Sequence, residues 1–238
     1  MKITDNSIKT APKLISDFLT YNEIVRGKST KSINEYYIDL RTFFRYILYS
    51  KGLVDIDNFE SADISLVTID MIKELSLNDL YQFLIYCKNE RDNSATARAR
   101  KCSTLLIYFK YLHTNVNLID NNPAELLETP KLKKSLPKYL DLDESISFLK
   151  AVDGPYKERD FCIMVLFLNC GLRLSELCSL NLSHIRNNTI RVVGKGNKER
   201  TIYLNDACIE AINNYLPHRP CDGVLAKDKD ALFLSRRK

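Results

Sequence analysis

Gly171-Leu172-Arg173-Leu174-Ser175-Glu176-Leu177 is followed, 22 residues after its arginine, by Lys195 inside Gly194-Lys195-Gly196-Asn197-Lys198-Glu199-Arg200. Immediately ahead of Arg173 runs Phe161 to Cys170, apolar almost throughout, which reads as a central helix (Arg159 to Leu168) buried on most sides. A guanidinium at the edge of such a core is costly unless an anion meets it, and Glu176, three residues on, is one such anion. Two readings stay open: a structural Arg173–Glu176 pair, or a guanidinium fork held by Glu176 and aimed at a phosphate. Lys195 on its glycine-flanked turn is either an ordinary solvated lysine or a proton donor to the same phosphodiester. The turn is not a nucleotide P-loop, because it lacks the Gly-x-x-x-x-Gly-Lys-Ser/Thr pattern.

Working outward, Thr189 to Val193 and Arg200 to Leu204 are β-rich runs around that turn and predict a hairpin. A helix over Asp206 to Leu216 and a final short apolar run, Ala231 to Leu234, follow, with Leu232 to Ser235 read as a strand. Upstream, Asp141-Leu142-Asp143-Glu144 opens a helix through Val152, with acidic residues where the macrodipole favours them. Before that, residues 129–140 carry two prolines and four lysines, including Lys131, Lys133 and Lys134. Proline removes donors and fixes φ, so this segment reads as an extended basic linker, either a plain polar connector or a strap along a phosphate backbone.

Residues 1–128 show helical spacing. Lys13 to Glu23 predicts a first helix. Ser29-Thr30-Lys31-Ser32 caps a second, Ser32 to Tyr49, whose aromatics are core. A third covers Ser76 to Glu90 and a fourth Ser94 to Thr114, together a four-helix bundle. The fourth helix is uneven: Arg98, Arg100, Lys101 and Ser103 make its start basic and hydroxylic, while Leu105 to Leu112 is apolar and aromatic. Its start is either a solvated end or a set of phosphate and base-edge contacts.

The charge is divided unequally. Residues 1–128 hold 16 basic against 17 acidic side chains, residues 129–238 hold 19 against 13, and the whole chain of 238 residues is +5. The positive excess therefore sits in the second part, as a solvated basic surface or a nucleic-acid footprint. Seven cysteines without a Cys-x-x-Cys pair found no zinc site and read as reduced thiols. No segment is apolar over the roughly 20 residues that span a bilayer, and Met1 to Asp5 opens no leader, so a folded cytoplasmic protein is expected.

Phe161 to Leu204, with Gly171 to Leu177 and Val193 to Arg200, resembles the start of the catalytic domain of tyrosine recombinases, of the Xer and phage-integrase type. Phe18-Leu19 to Ile47 and Ala99-Arg100-Lys101-Cys102-Ser103 to Leu112 are similar to the helical core-binding domain of the same enzymes. The resemblance implies a mainly α fold with a small β-hairpin or sheet: a four-helix core-binding (SAM-like) domain over 1–128, the linker 129–140, and the first part of a catalytic domain over 141–238. It implies site-specific strand cleavage and rejoining through a 3′-phosphotyrosyl link, with no cofactor and no metal. Arg173 would bind non-bridging oxygens of the scissile phosphate, Glu176 would support it, and Lys195 would protonate the leaving 5′ oxygen. Double-stranded DNA is the implied partner, contacted by Lys31, Arg98, Arg100, Lys101, Ser103, Lys131, Lys133, Lys134, Lys198 and Arg200.

The family's His-x-x-Arg motif and nucleophilic tyrosine would follow Leu232-Phe233-Leu234-Ser235, and the sequence stops at Lys238. The remaining candidates, His218, Tyr203 and Tyr215, do not match. These 238 residues are therefore expected to be a truncated form that is inactive alone, the alternative being a non-catalytic DNA-binding module that occupies recombination sites. Family members form tetramers on DNA through an exchanged helix that would also lie beyond Lys238, so assembly is not expected of these residues alone.

Overall fold

The computed structural model describes residues 11–132, 136–194, 196, 198–220 and 223–235. Contacts within the chain cluster into two compact units, Met1–Ser135 and Leu136–Lys238. The chain is mostly helical, with one small antiparallel sheet.

The first unit is built from α1 (Lys13–Thr20), α2 (Thr30–Ser50), α3 (Ile69–Lys73), α4 (Leu77–Asn89) and α5 (Ala95–Lys110). Helix starts fall where side-chain oxygens replace missing backbone partners: Ser29 accepts from the Ser32 amide at 3.4 Å, Ser94 from Ala97 at 3.2 Å, and Ser76 with Asp79 closes a reciprocal capping box. α1 and α5 each run on into one π-helical turn, Tyr21–Val25 and Tyr111–Asn115. The short α3 and the 3₁₀ turns Ile56–Ser61 and Ile64–Leu66 lie where periodicity gave no helix. They are too short for a 3.6-residue pattern to register, yet Phe59 and Ile72 are buried through them.

The expected aromatic core is present. Phe43 meets Phe83 edge-on at 5.1 Å and Phe109 at 6.0 Å, and Phe18 meets Tyr108 at 5.3 Å. Inside this apolar packing sits a polar cluster. Asp39, 2% exposed, accepts from Arg100 Nη1 at 2.7 Å, Thr104 Oγ1 at 2.9 Å and Lys101 Nζ at 3.0 Å, tying α2 to α5.

In the second unit, α6 (Leu142–Lys150) starts on an Asp141–Glu144 capping box. α7 (Lys157–Cys170) ends at Gly171, whose φ of +56° is the left-handed conformation that closes a helix and that glycine adopts without strain. Beyond it come α8 (Leu174–Cys178), the strands β1 (Ile185–Arg186), β2 (Thr189–Val193) and β3 (Glu199–Tyr203), and α9 (Asp206–Tyr215). The sheet order is β1-β2-β3, antiparallel throughout. β1 has only two residues, too few for any alternation to be read; the signal for its turn is Asn187-Asn188, with Asn187 at φ +50°.

Two expectations are corrected here. α7 is not buried on most sides: Cys162, Val165 and Leu166 face the core, whereas Phe161 and Leu168 are about 40% exposed (38% and 41%). The reason is that α7 packs through one face, mainly against α9 with a smaller contact to α6, and an apolar composition does not reveal how many neighbours a helix has. Leu232 to Ser235 is not a strand either. Only Ala231 makes a bridge, to Asn181, while Leu232 and Phe233 pack on Tyr215. A short apolar run is satisfied by burial in a loop as well as by a ladder.

The Asp39 cluster sets a stability prediction. Asp39→Ala leaves the buried Lys101 ammonium without its carboxylate and should destabilise the first unit by about 3–5 kcal/mol. Ser103→Ala, on the exposed side of α5, should change it by no more than about 0.5 kcal/mol. Urea unfolding followed by circular dichroism measures both, and an Asp39→Ala loss below about 1 kcal/mol would contradict the buried pairing.

Candidate functional site

The left-handed turn at Gly171 carries the chain out of α7 and places Arg173 at the start of α8 in extended conformation. Glu176 turns back under it. Its carboxylate is 1% exposed and receives four donors. Arg173 donates its backbone N–H to Oε2 at 2.9 Å and Nη1 to Oε1 at 2.7 Å. Arg200 donates Nη1 to Oε1 at 2.8 Å and Nη2 to Oε2 at 2.9 Å, a bidentate fork from β3. The lone-pair capacity of one carboxylate is thereby used up. These hydrogen bonds, the Arg200 pair foremost and the Arg173 amide next, hold the Glu176 carboxyl at a pKa of about 2 against an ordinary 4.5.

The two arginines differ in what remains free. Arg200 has both terminal nitrogens on Glu176, with Nη2 also 3.5 Å from the Gly171 carbonyl. Arg173 is 66% exposed, and its Nε and Nη2 have no hydrogen-bond partner among the described residues. Two guanidiniums on one carboxylate leave one positive charge in excess, and the exposure places it on Arg173. The arrangement is chemically an anion-facing fork on a rigid base.

The hairpin turn lies against the same group. A Cβ added to Gly194 would stand 3.3 Å from Glu176 Oε1, tighter than an ordinary contact, and 3.8 Å from Arg173 Nη1, so a side chain here would press the carboxylate aside by a few tenths of an ångström. The Gly194 amide donates to the Lys198 carbonyl at 2.8 Å and closes the turn. Lys195 and Asn197 lie outside the described residues, as do Lys133 and Lys134. Gly194, the residue before Lys195, is thus next to Arg173. The Lys198 side chain is exposed.

Arg200, expected on DNA, is bound to Glu176 while its side chain stays 40% exposed, and the strand register explains the contact with Glu176. Arg200 stands opposite Val192 and Ile202 opposite Ile190, so Arg200 shares the inward face of the sheet, whereas Tyr203 points out and is 83% exposed. The alternation Arg200-Thr201-Ile202-Tyr203 carries that signal in the sequence, since an apolar Ile202 fixes Arg200 as inward. Of the remaining tyrosines, Tyr215 is buried, stacked on Phe233 at 5.3 Å, its hydroxyl donating to the Leu232 carbonyl at 3.0 Å.

In the first unit, Lys101 is corrected as well. It is 6% exposed and paired with Asp39, so its ammonium faces the interior and not a ligand. Arg100 is half-exposed and shared between Asp39 and Glu35, at 2.7 and 2.8 Å. Arg98 Nη1 donates to the Asn93 carbonyl at 2.5 Å, and Ser103 Oγ donates to the Ala99 carbonyl at 3.0 Å. Lys31 and Lys131 are exposed.

The Glu176 carboxyl has a signed pH consequence. Its folded pKa is depressed, so its stabilising contribution is complete above pH 4.5 and is lost as pH falls toward 2. Glu176→Gln should therefore flatten the acid limb of the second unit's stability in that window while lowering stability at pH 7. Thermal melts from pH 2 to 7 read this out, and parallel acid limbs in the two proteins would refute it.

The sequence pattern of the phage integrase family matches residues 138–238. Over 227 residues the chain is 49% identical to tyrosine recombinase XerC of Caldanaerobacter subterraneus subsp. tengcongensis, covering 95% of this chain and 64% of that protein. The chain thus spans just under two thirds of that relative's length. It is 32% identical to tyrosine recombinase XerD of Proteus mirabilis, with 98% of this chain and 70% of that one covered. In fold it is similar to a lambda integrase dimer bound to a COC′ core site, at a TM-score of 0.59 and 18% identity over 89% of this chain and 53% of the other. The Tn1549 transposon integrase in complex with circular intermediate DNA gives 0.58 at 20% identity over 82% and 71%. On the sequence relationship and the shared architecture, the chain belongs to the tyrosine recombinase family, of the Xer type.

Proposed function

We propose that this chain acts on double-stranded DNA in the cytoplasm, as part of a site-specific recombinase that cuts and rejoins strands through a 3′-phosphotyrosyl link. The observation that carries the reading is the exposed Arg173 guanidinium, anchored on a fully engaged buried carboxylate with donors left over. Arg173 binds the non-bridging oxygens of the scissile phosphate, where preorganised donors stabilise the charge that develops as the phosphorus becomes five-coordinate. Glu176 fixes Arg173, and Lys195, which follows Gly194 in the chain, donates a proton to the leaving 5′ oxygen. The first unit is a core-binding domain that grips the duplex through Lys31, Arg98, Arg100 and Ser103, with Lys131, Lys133 and Lys134 on the connecting segment and Lys198 on the hairpin. Lys101 serves structure in place of direct contact, and the half-exposed Arg200 holds Glu176 from the edge of the same surface.

A non-catalytic role for these residues alone, occupying recombination sites, is favoured by the two tyrosines after Lys195. Tyr215 is buried. Tyr203 sits four residues along β3 from Glu199, roughly 13 Å from the turn that adjoins Arg173 at about 3.3 Å per residue. Neither is placed as a nucleophile.

Two outcomes test the proposal. Duplex binding should weaken steeply with salt, each of Lys31→Ala and Lys198→Ala lowering the log–log slope by about 1 and Arg173→Ala changing affinity little. A slope near zero would remove DNA as the partner. A nicked duplex that traps covalent intermediates should give no protein-linked band with these 238 residues, and a band abolished by Tyr203→Phe would show that the nucleophile has been misjudged.

A further inference from the structure

Arg200 is an arginine on the inward face of a three-stranded sheet, and its role is not exhausted by neutralising Glu176. A carboxylate held by Arg173 alone has two ways to use that partner. It can take one guanidinium nitrogen, as it does here, or turn to take two, drawing the fork inward. Arg200 removes the second option: by placing one nitrogen on each oxygen, it leaves Arg173 a single site on Oε1 and its own amide on Oε2. The same guanidinium reaches toward the Gly171 carbonyl, so β3 is tied to both ends of the Gly171-to-Glu176 segment. Gly194 packs over the shared carboxylate, which ties the hairpin turn to it too.

We propose that Arg200 is a positioning residue that keeps Arg173 outward-facing and sets the hairpin turn beside it, so that an oxyanion of a phosphodiester meets a preformed fork. The phosphodiester part rests on the recombinase reading; the positioning part does not. Lysine cannot substitute, because a point charge on a flexible stem cannot bridge two oxygens and a carbonyl in a fixed plane.

The test follows Arg173 itself in the full 238-residue chain, by the ¹⁵N–¹H resonance of its Nε and that resonance's shift on titration with inorganic phosphate. In the unsubstituted protein the Arg173 signal should be resolved and should move with phosphate. In Arg200→Lys, shown folded by circular dichroism, it should shift or broaden without phosphate, and the phosphate midpoint should weaken at least fivefold. Should Arg200→Lys not fold, Arg200→Gln, which keeps a single donor nitrogen and no charge, should give the same direction. An Arg173 resonance and phosphate midpoint unchanged by either folded substitution would overturn the proposal. A protein whose Arg173 signal ignores phosphate but responds to Arg200→Lys would uphold the positioning and instead sink the phosphodiester reading.

Discussion

The second unit is organised around one buried carboxylate. Glu176 is almost wholly removed from water, and a lone ionised carboxyl in that place would protonate. It stays charged because four N–H groups converge on its two oxygens, from a helix start, from a side chain three residues earlier and from a strand 24 residues later. Each requirement of that convergence shapes the chain nearby. The left-handed Gly171 sets the exit from α7, the register of β2 against β3 turns Arg200 inward, and the absence of a Cβ at Gly194 lets the turn close over the group. Ordinary accounting would treat a buried ion pair as neutral for stability, and here it is better understood as a device for fixing geometry.

The first unit uses the same chemistry to a different end. Asp39 also gathers two cations and a hydroxyl, but Lys101 is as deeply buried as its partner and the cluster joins two long helices through their middles. Its specificity is in helix register: an aromatic core of Phe18, Phe43, Phe83 and Tyr108 tolerates sliding, whereas a charged cluster with fixed donors does not. The contrast between the two carboxylates lies in their second arginine or lysine. At Asp39 the lysine is drawn in while Arg100 stays half-exposed between Asp39 and Glu35, and at Glu176 Arg173 is left with donors facing water.

The α7 helix shows how composition misleads about burial. Its apolar run suggested neighbours on most sides, yet Cys162, Val165 and Leu166 are buried, Ile163 and Phe167 only partly covered, and Phe161 and Leu168 exposed. At the inner end, Asn169 accepts from the Asn205 side chain that caps α9, and the Cys170 and Cys208 sulfurs stand 3.7 Å apart. These contacts fix the end of α7, and with it the turn that presents Arg173.

Sequence alone determined what is local. Serine and aspartate caps, the glycine stop at 171, the hairpin around residue 195 and the two-part division of charge all follow from properties of a few adjacent residues, and the Arg173–Glu176 pair follows from helical spacing. Tertiary structure decided which charges meet across distance. Whether Lys101 faces solvent or Asp39, and whether Arg200 faces DNA or Glu176, depends on which side of an element is covered, and coverage is set by residues 62 and 24 positions away. A basic side chain reads the same in either setting, because its charge is written in the sequence and its desolvation is not.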